Sequence, residues 1–261
     1  MLQGVVQMSK YYDILKMWNE FNVKTEVDID LRLENFRILF AYNTCKIEND
    51  AITYSDTREI FENGHVLNYT GDVRTIFELE NQRLCYEFLK PLLVAGEALS
   101  IELIKSVHAV LTSGTYDERR YITQGERPGE FKRHDYVTGS AEVGTPSEDV
   151  EKDLSDLLDE IKEIKDADVL KVATYFHARF EYIHPFADGN GRVGRTLLNY
   201  FLMIRNHPPL IIYNEDKNSY YEALYQYDMD EEITPLFYFL KEQTEKTWDK
   251  TLQREQSRNN K

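Results

Sequence analysis

Apolar residues recur at helical spacing along most of this chain. Between residues 168 and 183, the side chains of Val169, Val172 and Phe176 fall on one face of a helix. The segment 191–205 is apolar almost all round, as a helix in the middle of a bundle must be. The same periodicity predicts helices at 9–22, 29–45, 73–94, 99–112, 147–165, 168–183, 191–205, 217–227 and 233–252.

Little of the chain departs from this helical pattern. Only the polar, glycine-containing segment 129–144 has weak strand character, and taken alone it predicts a solvated loop between helices. Residues 254–261 are polar and are expected to form a frayed tail. We therefore predict an all-α fold, a helical bundle.

Two residues of the segment HPFADGNGRVGR, residues 184–195, suit metal-assisted chemistry on a phosphate. His184 has an intrinsic pKa that allows it to take a proton from an attacking hydroxyl near neutral pH. Asp188 is a candidate ligand for Mg²⁺, which prefers one or two carboxylates together with phosphate oxygens. Phe186, which lies between them, is expected to point into the core and hold the loop.

The rest of the segment suits the binding of the phosphate itself. The backbone N–H groups of Gly189, Asn190 and Gly191 can form an anion-binding nest at the start of the following helix, where the helix dipole favours a phosphate. Arg192 and Arg195 lie three residues apart and would project toward the same anion. Each fragment alone is weak evidence, but together they predict a site for a nucleoside triphosphate and its metal.

The segment resembles the signature of the Fic family, His-x-Phe-x-(Asp/Glu)-Gly-Asn-Gly-Arg-x-x-Arg, and matches it at every fixed position. The resemblance implies a mainly helical Fic fold and the transfer of AMP from ATP to a Ser, Thr or Tyr hydroxyl of a target protein. It implies that His184 is the general base and that Asp188 binds Mg²⁺. It further implies that the triphosphate is held by Gly189, Asn190, Gly191 and Arg192, with the γ-phosphate on Arg195.

The resemblance also assigns segments outside the signature. It implies that the segment 129–144 is a small β-hairpin flap that holds the target by strand pairing. The flap residues are Gly129, Glu130, Phe131, Lys132 and Arg133. Either Tyr220 or Tyr221 would flank the adenine, and Asp228 stands where some relatives have an asparagine near the adenine or ribose. The implied layout is an N-terminal helical region over 1–100, a Fic catalytic core with C-terminal helices over 101–253, and the tail.

A second pattern lies N-terminal to the signature. The segment TCKIEN, residues 44–49, fits the family's inhibitory motif (Ser/Thr)-x-x-x-Glu-(Gly/Asn), with Thr44, Glu48 and Asn49 at its fixed positions. The resemblance implies an inhibitory helix over about 29–48, whose Glu48 pairs with Arg195 and blocks the γ-phosphate site. The alternative is that Glu48 is an ordinary carboxylate at a helix end.

The resemblance leaves other activities open. Glu48 could orient water and remove AMP from a modified target, which would make the protein a deAMPylase. The donor could be another nucleotide such as UTP, and UMP would then be transferred. A third alternative is a non-catalytic module that binds a partner when nucleotide is bound.

Composition narrows the range of partners and locations. The 261 residues carry a net charge of −15, which argues against a nucleic-acid partner. Cys45 and Cys85 are expected to stay reduced, and no apolar run reaches the length of a membrane span, so we expect a cytoplasmic protein. The 18 tyrosines offer sites for self-modification, and the sequence leaves open whether the chain forms a homo-oligomer.

Overall fold

The computed structural model describes the backbone of residues 2–67, 69–137, 144–164 and 168–259. It describes the side chains of the same residues, except those of 2–9 and 259. Helices dominate these residues, and no strand occurs among them. In chain order the helices are α1 (Leu2–Phe21), α2 (Glu26–Glu48), α3 (Tyr54–Asn63), α4 (Val73–Ala95), α5 (Ile101–Leu111), α6 (Val150–Glu163), α7 (Val169–Ile183), α8 (Asn190–Ile204), α9 (Lys217–Asp230) and α10 (Thr234–Asn259). The predicted all-α fold is confirmed.

Helices α7 and α8 pack on each other at the centre of the bundle. Helix α8 is buried on nearly every side from Asn190 to Leu202, as its all-round apolar sequence predicts. The rings of Phe176 and Phe201 stack between the two helices, with centroids 6.1 Å apart. Helices α2, α4 and α5 also pack on α8. The short connection between α7 and α8 is thus held rigidly at one end of the core.

The N-terminal region shares its core with the rest of the chain. Tyr11, Ile47 and Cys85 belong to the same apolar cluster as the buried side chains of α7 and α8. A second cluster joins α1 to α10, where Trp18 and Trp248 meet edge to face at 5.2 Å. Helix α2 is therefore fixed against α8 by apolar packing as well as by polar contacts.

Several predicted boundaries need correction. Helix α3 was not predicted, because its apolar positions are few, although Thr53 caps its first turn and Gly64 ends it with a φ of 76°. A π-helical turn at Arg119–Thr123 also lacks a periodic pattern. Helix α6 begins at Val150 and not at 147.

The predictions for two less regular segments, 129–144 and 254–261, also differ from the structure. The described part of the segment 129–144 has no strand, so it does not contain the expected β-hairpin, and residues 138–143 lie outside the described residues. Helix α10 continues to Asn259, well into the expected frayed tail 254–261. A continuous helix can extend past its last buried residue because its backbone bonds are satisfied within the helix.

Candidate active site

The loop between α7 and α8 is shaped by its own residues. His184 ends α7 in the left-handed region, with a φ of 51°, and Gly189 precedes α8 with a φ of 81°. The side chain of Asn190 clamps the loop: its Oδ1 accepts from the Phe186 N–H at 2.9 Å and its Nδ2 donates to the Phe186 carbonyl at 2.7 Å. Asn190 thus orients the loop and leaves the first-turn amides of α8 to face an anion.

His184 is partly buried and neutral at physiological pH. Burial, and then the positive charge of Lys132, lower the pKa of His184 to about 4. The ring also bonds to the backbone of Glu181, which leaves the other ring nitrogen to accept a proton. The side chain is therefore in the protonation state that a general base requires at pH 7.

Arg195 is buried and bound by the segment that carries the inhibitory pattern. Its side chain is 2% exposed, and its Nε donates to Thr44 Oγ1 at 2.9 Å and its Nη2 to the Thr44 carbonyl at 3.0 Å. The same Nη2 donates to Glu48 Oε1 at 2.8 Å, and the Glu48 side chain is 40% exposed. Glu48 and Arg195 therefore form an ion pair at the cavity end of α2.

The Glu48 carboxylate also lies over the start of α8. A Cβ placed on Gly191 would come within 2.5 Å of Glu48 Oε1 and 2.8 Å of Arg195 Nη1. A side chain at residue 191 would therefore collide with this pair. The carboxylate occupies a position where the helix dipole and the first-turn amides favour a negative charge.

Arg192 and Asn49 meet at a buried carboxylate of α4. Glu78 is 5% exposed, and its Oε1 lies 3.7 Å from Arg192 Nη1. Its Oε2 accepts from Asn49 Nδ2 at 3.0 Å. Asn49, the last position of the inhibitory pattern, therefore contacts the signature indirectly, through Glu78.

Asp188 is paired with an arginine that sequence reasoning missed. Its Oδ2 accepts from Arg74 Nη2 at 2.8 Å, and its Oδ1 accepts from the Gly189 N–H at 2.8 Å. Within the described residues no group of three His, Cys, Asp or Glu side chains could hold a metal ion. The donor chemistry of Asp188 fits Mg²⁺, which can complete its shell with phosphate oxygens and water.

His108, also missed from the sequence, joins the segment 129–137 to the signature loop. Its Nε2 bonds to the Asp188 carbonyl at 3.1 Å, and its Nδ1 accepts from the Gly129 N–H at 2.8 Å. Its ring stacks on Phe186 with centroids 3.7 Å apart. Because one ring nitrogen donates and the other accepts, the contacts require the neutral ring.

The five predicted flap residues do not share one environment. Phe131 packs on Phe186, and Lys132 is buried and donates its backbone N–H to the Pro185 carbonyl at 2.9 Å. Glu130 and Arg133 form an exposed ion pair at 2.7 Å. Gly129 is held by His108, as described above. The segment therefore lies beside the signature loop, although its described part has no strand.

The two candidate tyrosines have different surroundings. Tyr220 is 1% exposed and bonds to His177 Nε2 at 2.8 Å, with its ring 6.0 Å from the Arg195 guanidinium carbon. Tyr221 is 44% exposed and lies on the wall of a cavity. Both tyrosines border this cavity: Tyr220 is buried beside Arg195, and Tyr221 exposes nearly half of its side chain there.

A single cavity joins the parts described above. Its volume is about 940 Å³, at the upper end of the range for ligand pockets. His184, Asp188, Arg195, Glu48 and Tyr221 all line it. Glu181 and Asp228 line it as well, and burial raises the pKa of Glu181 to about 7.

Buried histidines make the stability of the protein depend on pH. Burial lowers the pKa of His108, His184 and His207 to about 4 and that of His177 to about 3, from an ordinary value of 6.5. Between about pH 6.5 and 4 these rings bind protons in the unfolded chain but not in the folded protein. The free energy of unfolding should therefore fall as the pH falls through this window. The raised pKa of Glu181, about 7, acts in the opposite direction, as does the raised pKa of Glu245, but these are two groups against four.

Urea unfolding at pH 7 and at pH 5 measures this effect. We expect a lower midpoint at pH 5, since each histidine contributes up to about 1.4 kcal/mol per pH unit within its window. A midpoint that is equal or higher at pH 5 would contradict the neutral, buried state of these rings.

In sequence, the chain is similar to Fic proteins. Residues 98–202 match the Fic/DOC family. The chain is 31% identical over 217 residues to a protein adenylyltransferase Fic from Nematostella vectensis, covering 80% of this chain and 47% of that protein. It is 27% identical over 216 residues to a protein of the same name from Drosophila persimilis, covering 80% and 39%. The chain thus spans about half the length, or less, of these curated relatives.

Solved structures share the fold. A Fic domain containing signaling protein from Bacteroides thetaiotaomicron aligns with a TM-score of 0.80 at 20% identity, over 93% of this chain and 95% of that one. Fic-1 from C. elegans aligns with a TM-score of 0.73 at 23% identity, over 97% and 72%. Among the described residues, no helix has both the length and the apolar composition to cross a membrane.

Proposed function

We propose that the protein is an adenylyltransferase that transfers AMP from ATP to a hydroxyl group of a target protein, because residues 98–202 match the Fic/DOC family and the chain is similar to relatives named protein adenylyltransferase Fic. One observation carries the proposal: a neutral histidine, a carboxylate and a helix N-terminus with two arginines border the same cavity. These are the groups that in-line attack on a phosphate needs.

In the proposed reaction, a target hydroxyl oxygen attacks the α-phosphorus of ATP. The bond from oxygen to phosphorus forms as the bond to the bridging oxygen of pyrophosphate breaks, and His184 takes the hydroxyl proton. The first-turn amides of α8, with Arg192 and Arg195, hold the phosphates and stabilise the charge on the leaving group. A Mg²⁺ ion held by Asp188 and phosphate oxygens would neutralise further charge.

Two surfaces would orient the substrates. Tyr221 and Tyr225 lie one turn apart on α9, are about half exposed and line the cavity, which supports a role beside the adenine. The segment from Gly129 to Val137 would hold the target, since Lys132 bonds to the loop next to His184 and Val137 is exposed at the cavity.

The resting protein would be auto-inhibited. The Glu48 carboxylate bonds to Arg195 and lies over Gly191, so it would compete with the γ-phosphate of ATP for the same guanidinium and the same helix end. Both anions cannot occupy one site. ATP would then bind with its α-phosphate out of line, or bind weakly, until Glu48 leaves.

The position of the transferred phosphate tests the activity. The Glu48→Gly variant is incubated with Mg²⁺ and ATP labelled either at the α- or at the γ-phosphate, with and without a cell extract as a source of targets. We expect proteins, including the enzyme itself, to become labelled only by the α-labelled nucleotide. The double variant Glu48→Gly/His184→Ala should give no label. Label from the γ-phosphate would overturn AMP transfer. The same assay with α-labelled UTP tests the other donor.

A second candidate activity is the removal of AMP from a modified target, and it would use the same Glu48 carboxylate. The Glu48 side chain is 40% exposed and lines the cavity, so it has access to water beside a bound phosphate. It could orient a water molecule toward an AMP-modified hydroxyl and release AMP. In this case, a purified target labelled with AMP would lose its label when mixed with the native chain. The Glu48→Gly variant would not remove the label.

A further inference from the structure

The charged groups of the signature are all paired with residues of the N-terminal region. Arg195 binds Thr44 and Glu48 of α2, as described above. On α4, Glu78 lies beside Arg192, and Arg74 donates to Asp188. The Glu48 pair is part of the inhibitory pattern, but no local motif in the sequence indicates the Arg74 contact, since residues 74 and 188 are far apart in the chain.

Arg74 is held in place by two carboxylates. Its Nε donates to Glu78 Oε1 at 3.0 Å, and its Nη2 donates to Asp188 Oδ2 at 2.8 Å. Glu78 is itself anchored by Asn49, as described above. A second arginine, Arg120, lies 3.9 Å from the same Asp188 oxygen, but it pairs with Asp117 at 2.7 Å. Among the described residues, Arg74 is therefore the cation bonded directly to the Asp188 carboxylate.

We propose that Arg74 is a positioning residue that occupies the Asp188 carboxylate in the nucleotide-free protein and must release it before a divalent cation binds. The inference rests on the proposed function in one respect, the role of Asp188 as the metal ligand. It differs from inhibition by Glu48, because Glu48 competes with the γ-phosphate whereas Arg74 competes with the metal.

The contact has opposite consequences for the two states of the site. Without metal, the guanidinium neutralises Asp188 and reduces its repulsion of an approaching phosphate. With metal, the guanidinium is a rival positive charge on the same oxygen, so the apparent affinity for the cation is reduced by the fraction of protein in which Arg74 is bound. When released, Arg74 can keep its bond to Glu78 and stay at the cavity wall.

The test is a nucleotide-free titration of the full chain with Mn²⁺, in which free Mn²⁺ is measured by electron paramagnetic resonance. The variants are Arg74→Gln, Arg83→Gln and Arg74→Gln/Asp188→Asn. Arg83 is the matched control, because it also lies on α4 and in an ion pair, with Glu80, and its loss changes the net charge equally. We expect Mn²⁺ to bind at least about fivefold more tightly to Arg74→Gln than to the native chain, with no change in Arg83→Gln.

Each outcome has a clear meaning. The gain should disappear in Arg74→Gln/Asp188→Asn, since the added affinity belongs to Asp188. Equal affinity in the native chain and in Arg74→Gln would overturn the proposal, as would a gain of the same size in Arg83→Gln. Because the titration contains no ATP, it remains informative if AMP transfer is never observed, and the failure of one proposal is not mistaken for the failure of the other.

Discussion

Replacing His184 with alanine is expected to lower the rate of AMP transfer by roughly 10²–10⁴-fold, the contribution of a positioned general base. The affinity for ATP should stay the same, because the phosphates are held by α8 and the arginines and not by the imidazole. The measurement is a single-turnover rate of labelling from α-labelled ATP in the Glu48→Gly background, together with ATP binding by calorimetry.

The backbone at His184 requires a second variant as a control. Its φ of 51° lies in the left-handed region, which alanine adopts less readily than histidine or asparagine. His184→Asn keeps this preference and removes the base, so it should lose transfer as fully as His184→Ala while melting closer to the native protein. Transfer at the native rate in His184→Asn would show that another group accepts the proton.

Replacing Glu48 with glycine is expected to raise AMP transfer by roughly 5–150-fold, the usual range of coupling between competing ligands. The change removes the carboxylate from Arg195 Nη2 and from the helix end at Gly191, and so frees the position of the γ-phosphate. The same assay measures the gain, and calorimetry should show tighter binding of ATP. Adding Arg195→Ala should weaken transfer again, since the γ-phosphate then has no guanidinium.

Two further variants separate inhibition from a change in helix stability. Glu48→Gln keeps the length of the side chain without its charge, and it should be activated in the same direction as Glu48→Gly. Glu62→Gly removes a carboxylate near the end of α3 that pairs with the exposed Arg58 in the described part of the chain, and it should have no effect. If Glu48→Gly changes neither transfer nor ATP affinity, the inhibitory assignment is wrong.

Parts of the site could be predicted from the sequence because they are local. The residues from His184 to Arg195 are contiguous, and Asn190 clamps the loop by bonding only four residues away. The helices on either side have strong apolar periodicity, so the ends of the loop could be predicted as well. Helix α6 begins three residues later than its apolar pattern predicts, and Thr145, just before the predicted start, donates to Asp153 and does not cap the helix.

Other parts depend on residues that are distant in the chain. Arg74 and Asp188 are brought together only because α4 packs on α8, and His108 reaches Gly129 only because α5 lies against the signature loop. Each of these side chains, taken alone, looks like an ordinary polar residue on a helix. No short pattern in the sequence marks a charge that will pair across the bundle.

The sequence by itself therefore determined the helical class of the fold, the order of the main helices and which candidate residues the signature loop holds together, because helix periodicity and loop geometry depend on near neighbours in the chain. The tertiary structure decided how far each of the two tyrosines is exposed at the cavity, that the Glu48 carboxylate reaches the start of α8, and that Arg74 bonds to Asp188. These depend on how the helices pack, and packing is set by the shape and burial of side chains contributed from the whole chain.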